Sequence, residues 1–402
     1  MSDKELSLYI HIPFCVSKCD YCDFFSISTG CKKAAVPVDY IKALCNEIKY
    51  RFYEYPECRI KTVYIGGGTP SLLSVEQLTQ ISDVIKNIGL TSDYEFTFEV
   101  NPDDVNIELL AALEKCGVNR ISCGIQSFND NALKGVKRRA DSITVLYALD
   151  LLENHWPQKL SIDLICGLPG ETEESMLKGL ELIVQKNISH ISFYSLCIED
   201  ETPLGKAILS EQTPYDYDFS DKLWLKGRDF LLSKGYIQYE VSNFCKSGNE
   251  CRHNMTYWTH KDYIGCGSGG TGTLYNKPMF SQKINKKGEG VRYTNIKNTD
   301  LYTSFWFDKD CKNRENFSNI PQSVEKIIHK TSKFEYFMMA LRTRRGVSSV
   351  EYHELFDEQI PPELIKKLEN NCRINEYGNY YLDKEKLIFL NVFLEEILDL
   401  ID

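Results

Sequence analysis

Cys15, Cys19 and Cys22 stand in the run Tyr-Ile-His-Ile-Pro-Phe-Cys-Val-Ser-Lys-Cys-Asp-Tyr-Cys, a Cys-x3-Cys-x2-Cys spacing that puts three thiolates on one short loop. A cubic 4Fe-4S cluster has four irons and ordinarily takes four thiolates, so a loop offering three leaves one iron with an open coordination position. An open iron is a place for chemistry. The competing reading is a structural zinc site, but zinc wants four closed ligands, usually from two paired clusters. No second Cys-x2-Cys or His-x3-His pair follows in this chain.

Other residues could complete a ligand site beside that iron. Gly66-Gly67-Gly68-Thr69-Pro70 lets backbone groups approach a ligand closely. It lacks a following Gly-Lys-Ser/Thr and so is not a phosphate loop. Glu99, Gln126 and Asp163 fall at or near the ends of three successive strand-like runs. A carboxylate at such a mouth is costly to desolvate without a partner, and a ligand bearing hydroxyls or an ammonium removes the cost. Each of these residues alone also suits a helix N-cap or an internal salt bridge. Their repeated placement favours a ligand site, because convergent polar groups mark such sites. Further along, Cys251-Arg252-His253-Asn254-Met255-Thr256-Tyr257-Trp258 sets an imidazole near two aromatic rings. A single His in a polar loop is commonly a hydrogen-bonding structural residue.

These groups need a scaffold that brings distant positions together. Six β-branched or aromatic runs recur along the first half: Leu6 to Pro13, Thr62 to Ile65, Glu95 to Val100, Arg120 to Ile125, Leu160 to Ile165 and His190 to Leu196. Helix-period segments separate them, at Val38 to Tyr53, Val75 to Ile88, Ile107 to Cys116, Ser142 to Asn154 and Glu173 to Lys186. Strand alternating with helix predicts a parallel sheet with helical crossovers, an α/β architecture. Nearly every run ends in a polar or glycine-rich element, the cysteine loop first among them. Ligands gather at that end of parallel strands, so the converging loops imply one site.

Composition narrows the function. The 402 residues suffice for two to three domains and a large core without staples. Fifteen cysteines with no signal-like N-terminus predict reduced thiols in a cytoplasmic compartment. No run approaches the roughly 20 apolar residues of a membrane span. A formal net charge of -10 argues against nucleic acid as a general partner and against anionic membranes.

From about Tyr236 the alternation stops, and glycines and asparagines accumulate through Asn298. The division expected is a barrel-like domain over 1-235, an accessory region over 236-310 closing the barrel edge, and a small C-terminal domain over 323-402. Asp308 to Gln322 reads as a linker. The C-terminal order is helix (Phe334 to Thr343), helix (Ser349 to Phe356), helix (Pro362 to Asn370), hairpin (Ile374 to Leu382) and final amphipathic helix. That order suggests a winged-helix-like α+β module, with acidic flanks that favour protein packing over DNA binding.

The three-cysteine loop after a strand resembles the signature of the radical S-adenosylmethionine (SAM) superfamily, in which the open iron holds the amino and carboxylate groups of SAM. Six strand-helix units suit the open, partial (β/α)6 barrel that the resemblance implies. Tyr9 to Cys15, Gly66 to Ser71, Glu99-Val100-Asn101-Pro102 and Ile162-Asp163-Leu164-Ile165 together resemble the oxygen-independent coproporphyrinogen III oxidase family. By that resemblance Cys15, Cys19 and Cys22 ligate a 4Fe-4S cluster. Tyr9, Tyr21, Gly67, Gly68, Thr69, Glu99, Gln126, Arg138 and Asp163 then match SAM-contacting positions.

Two marks of the oxidase are missing: Phe24 stands where it has a further cysteine, and its long N-terminal arm has no counterpart here. The branch lacking both is the HemW-like radical SAM haem chaperone family, whose His-Asn-x2-Tyr-Trp motif is similar to His253 to Trp258. The resemblance implies haem as a third bound group, with His253 as axial ligand and Tyr257 and Trp258 as porphyrin cover. It implies delivery of haem to acceptor apoproteins such as respiratory cytochromes. It names no catalytic residue, and a homodimer is left open. The alternative is coproporphyrinogen III oxidation or another radical reaction on a tetrapyrrole. One departure stands out: Thr271 occupies the place of a second family histidine.

Overall fold

The computed structural model describes residues 5–32, 35–275, 286–309 and 319–401. The six runs form strands β1 (Glu5–Ile12), β2 (Arg59–Gly67), β3 (Leu90–Val100), β4 (Arg120–Gln126), β5 (Lys159–Cys166) and β6 (His190–Ser195). They pair parallel in chain order. Helices Val38–Tyr53, Val75–Ile88, Ile107–Cys116, Ser142–His155 and Glu173–Gln185 connect them. Their starts are chemically marked: Ser74 and Gln77 form a reciprocal capping box, and Asn106, Asp141 and Thr172 each accept a backbone N–H of the first turn.

The strands alternate with period two, and the two faces differ in chemistry. Leu6, Leu8, Ile10 and Ile12 of β1, Phe96 and Phe98 of β3, and Ile191 and Phe193 of β6 are buried in one continuous core. The intervening residues face the lumen and are polar: Thr62 and Tyr64 on β2, Thr97 and Glu99 on β3, Arg120 and Ser122 on β4, Ser161 and Asp163 on β5, His190 and Ser192 on β6 all contribute to one cavity except Thr62. A polar lumen cannot collapse on itself and must hold water or a ligand. Thr97 Oγ1 and Arg120 Nη2 are buried there without a protein partner.

The stretch beyond Tyr236 extends both edges of the sheet. At one edge β8 (Asn243–Cys245) adds antiparallel to β6, and β7 (Ile237–Gln238) pairs antiparallel with β8 at the outer edge. At the other, β9 (Tyr263–Cys266) pairs parallel with β1, and β10 (Thr271–Leu274), β11 (Gly290–Asn295) and β12 (Gln322–Ile327) follow antiparallel. The result is one twelve-stranded sheet. A buried pair, Arg51 and Glu47, ties the first helix to this edge: Arg51 Nη2 donates to Asn295 Oδ1 at 2.9 Å, and Gly267 N donates to Glu47 Oε2 at 2.8 Å. Removing one member of such a pair costs about 3–5 kcal/mol, because its partner stays buried and charged.

Sequence periodicity does not mark every helix: among those it leaves out are Pro203–Leu209 and Tyr217–Ser233. The second starts at Asp216, whose carboxylate accepts from Phe219 N. Most of the linker-like Asp308 to Gln322 lies outside the described residues. The C-terminal part packs helices His329–Ala340, Ser349–Phe356, Pro362–Asn371 and Leu390–Leu398 with the hairpin Arg373–Ile374/Tyr380–Tyr381 around a separate core. It is tied to helix Tyr217–Ser233 by Arg228 Nη1 donating to Lys384 O at 2.8 Å, and to β11 of the sheet by the Arg292–Glu335 pair at 2.8 Å. Among the described residues no helix is long and apolar enough to cross a membrane.

Candidate functional site

Residues Phe14–Cys15 pair with Ile27–Ser28 and close the cysteine loop at its base. Cys22 N donates to Cys19 O at 3.1 Å, which makes the turn between the last two thiols. Cys15 is buried, while Cys19 and Cys22 are partly exposed toward one cavity. Two donors face the sulfurs: Thr69 Oγ1 to Cys15 Sγ at 3.4 Å and Arg138 Nη1 to Cys19 Sγ at 3.7 Å. Donors aimed at sulfur stabilise thiolate and are the groups that tune an iron–sulfur cluster. Among the described residues no three His, Cys, Asp or Glu side chains gather around a single-ion site. Three thiols on one loop, two of them facing hydrogen-bond donors, fit a cluster that takes three protein thiolates.

The glycine run is packed on that loop, and each glycine has its own reason. A Cβ on Gly68 would lie 2.7 Å from Phe14 O, and one on Gly67, at φ +113°, would strike the His11 ring. A Cβ on Gly66 would meet the Glu99 carboxyl at 2.9 Å. Glu99 accepts from Tyr64 Oη at 2.8 Å and from Gly67 N at 3.1 Å. Burial pushes its carboxyl up to about 7, with the Asp163 charge adding to the rise and the two donors opposing it.

Asp163 accepts from Ser122 Oγ at 2.8 Å, and burial raises its carboxyl as well. Gln126 sits at φ +73°, at the irregularity where β4 slips against β5. Such a conformation is costly for a non-glycine residue and is held by its surroundings. Arg138 Nη2 donates to Gly124 O and, at 2.7 Å, to Asn101 Oδ1.

Tyr21, Gly67, Gly68, Thr69, Glu99, Gln126, Arg138 and Asp163 all line one cavity of about 430 Å³. Tyr9 does not. Its hydroxyl meets His11 Nδ1 at 2.8 Å, and its ring, 6.3 Å from that of Tyr64 on the same face of the sheet, lines a second, neighbouring cavity. Tyr9 thus stands beside Tyr64 of the first cavity, and a SAM contact from its side chain belongs to the proposed function. The lumen residues Arg120, Ser122, His190 and Ser192 were missed, although their period-two alternation with apolar residues was a usable signal.

The motif His253 to Trp258 lies on helix Arg252–Trp258, which plugs the floor of the lumen. His253 N donates to Glu95 Oε1 at 3.0 Å and Thr256 Oγ1 lies 2.9 Å from Ser7 Oγ. His253 is fully buried, with Nδ1 2.8 Å from Thr62 Oγ1 and Nε2 2.7 Å from Tyr257 Oη. Thr62 gives its proton to Ser7, so Nδ1–H donates to Thr62 and Nε2 accepts from the Tyr257 hydroxyl. Burial lowers the imidazole to about 3, so it is neutral. In this conformation the Nε2 lone pair is taken by the Tyr257 hydroxyl, so an axial bond from His253 to iron would require that contact to open. The two aromatic residues diverge: Tyr257 lines the second cavity, whereas Trp258 lies under the Arg342 guanidinium at 5.9 Å.

The parallel sheet with its three-thiol loop and glycine cradle defines a radical SAM protein, and a sequence model of the Radical SAM superfamily matches residues 9–183. The fold is shared with coproporphyrinogen III oxidase from Escherichia coli, at TM-score 0.76 over 98% of this chain and 89% of that one, with 19% identity. The chain is 31% identical over 399 residues to the heme chaperone HemW of Buchnera aphidicola subsp. Schizaphis graminum (strain Sg), spanning 98% of each. With the HemW of Escherichia coli (strain K12) it is 32% identical over 399 residues, 97% of each, and with that of Bacillus subtilis (strain 168) 30% over 402 residues, 96% of this chain and 98% of the relative. The chain belongs to the HemW heme chaperone family.

Proposed function

We propose that this protein is a cytoplasmic haem chaperone that holds a 4Fe-4S cluster and SAM, binds haem and passes it to acceptor apoproteins such as respiratory cytochromes. The observation that carries the reading is end-to-end similarity to heme chaperones combined with a three-thiol loop whose sulfurs face hydrogen-bond donors. Cys15, Cys19 and Cys22 would hold the cluster, and a reduced cluster supplies an electron to a sulfonium. The chain's own part is binding and placement. Gly67 and Gly68 offer backbone at close range, Glu99 offers a carboxylate to an ammonium or a ribose hydroxyl, and Arg138 braces Cys19 and the Gly124 carbonyl. Asp163, already satisfied by serines, would act as a polar wall of the adenosine end.

The test is anaerobic reconstitution followed by parallel assays of haem binding, haem transfer to an apocytochrome, and coproporphyrinogen III decarboxylation. Stable haem binding and transfer without decarboxylation is the expected result. Decarboxylation without haem binding would overturn it in favour of the oxidase.

A further inference from the structure

The second cavity, about 380 Å³ and open to solvent, lies between the end of the cysteine loop and strands β9 to β11. Five aromatic rings line it, those of Tyr9, Phe24, Phe25, Tyr257 and Tyr263. Such a concentration of rings at an open surface is a binding surface for a flat, apolar ligand. Phe24 is 64% exposed, beside the part-buried Phe25 on the same loop. It lines both this cavity and the lumen cavity of about 430 Å³, so the two meet at Phe24.

The walls are held in place from behind. Tyr257 is fixed by its bond to the buried His253 and by an edge-to-face contact with Tyr263 at 4.7 Å. Phe25 lies over Gly269, where a Cβ would fall 2.7 Å from its ring. Thr271 Oγ1 and Thr294 Oγ1 pair at 2.9 Å across the floor. Lys297 is the cation of the lining and Asp23, at the rim shared with the lumen cavity, its anion. His11 is spent: Tyr9 Oη meets its Nδ1 at 2.8 Å and its Nε2 meets Phe25 O at 2.9 Å.

We propose that this cavity is the seat of the carried tetrapyrrole, gripping the macrocycle between aromatic rings and one carboxylate through Lys297, with no imidazole ligand to the iron. The proposal rests on the haem-carrier reading and deepens it. A planar tetrapyrrole dicarboxylate matches an aromatic slot with a cation at its edge. A carrier that grips the ring system leaves the iron free for the acceptor's own ligands. His253 is then a positioning residue that acts through Tyr257.

The experiment is a titration of the reconstituted full chain with haem and with iron-free protoporphyrin IX, followed by porphyrin absorbance. The unaltered protein is expected to bind the two within about tenfold of each other, since the macrocycle supplies most of the contact. Lys297→Glu, which turns an exposed attraction into a repulsion, is expected to weaken both by about tenfold, and Phe24→Ala by about fivefold. Lys115→Glu, an exposed charge reversal on an outer helix, serves as the control. Weakening by either of the first two, with cluster absorbance intact, supports the seat; unchanged affinity in both overturns it. Haem binding that exceeds porphyrin binding by more than tenfold overturns the claim that the ring system is what is held. Failure of the unaltered protein to bind haem at all defeats the haem-carrier reading itself, a result distinct from normal haem binding in the two variants.

Discussion

Replacing Glu99 by Gln should stabilise the ligand-free protein at alkaline pH while weakening its hold on SAM. The folded-state carboxyl titrates near 7 against an ordinary value of 4.5. Between those values the native state binds more protons than the unfolded chain, so stability falls as pH rises from about 4.5 through 7 and stays lower above. The ceiling is about 3 kcal/mol at 1.36 kcal/mol per unit. Glu99 keeps partial contact with the cavity. Screening there reduces the working figure to about 1.5 kcal/mol, or roughly 2 °C in Tm for a chain of this length.

Gln resembles the protonated acid, so the gain should be absent near pH 5 and full at pH 8. Its oxygen can keep the bond from Gly67 N and its amide can turn to Tyr64, so the geometry survives. Thermal unfolding of cluster-free protein at pH 5 and 8 measures the first effect, and calorimetric SAM titration of reconstituted protein measures the second. Loss of a charged hydrogen-bond partner worth about 1.5–3 kcal/mol should weaken SAM about ten- to a hundredfold. Wild-type affinity should tighten from pH 6 to 7.5, and the Gln variant should be flat. Equal SAM affinity in both proteins, or equal stability changes at the two pH values, would refute the reasoning.

Cys15→Ala, Cys19→Ala and Cys22→Ala should each abolish the cluster, whereas Cys31→Ala, Cys45→Ala and Cys58→Ala should keep it, read from iron and sulfide content. Retention without Cys19 would sink the assignment. Gly68→Ala should lower stability by about 1–3 kcal/mol through overpacking against the backbone of Phe14, with poorer cluster yield; an unchanged Tm would show that the loop can move aside. His253→Ala should cost about 2–4 kcal/mol, because Thr62 and Tyr257 lose a buried partner, and this is measurable as a fall in Tm without haem present. A purely haem-ligating role predicts no such fall.

The parallel half of the fold was legible because each strand run was bounded by a helix of clear period. The strands added beyond Tyr236 were not. Tyr263 to Cys266 and Thr271 to Leu274 are short and interrupted by glycines, and their partners lie far away in sequence, so local pattern carries little signal there. Helix Tyr217–Ser233 escaped because aromatic and charged residues occupy positions on both of its faces, leaving Ser220, Leu223, Gly227, Arg228 and Leu231 to make the buried side. At the site, the three thiols and the glycine run could be read directly, because each depends on local spacing. The second cavity beside Tyr9 could not, since it depends on the neighbour that β1 acquires from Tyr263 to Cys266.

The His-Asn-x2-Tyr-Trp segment illustrates why a motif names residues without naming their roles. On a helix, positions one and five share a face, so His253 and Tyr257 meet, while Trp258 is turned about 100° away toward Arg342. The helix closes a polar lumen, and closure requires its inward groups to satisfy the lumen's own donors and acceptors. His253 does this with both ring nitrogens and its backbone N–H, which spends the imidazole that metal ligation would use. Tyr257, one turn further, reaches past the strand edge into the aromatic cavity. Changes at His253 are therefore transmitted to that cavity through the Tyr257 hydroxyl, and a loss of haem in a His253 variant would not by itself identify an iron ligand. The discriminating variant is Tyr257→Phe, which removes the hydroxyl, keeps the ring, and leaves His253 Nε2 free. If His253 were the ligand, haem affinity would rise in this variant; if the ring system is what is held, it should stay within about twofold.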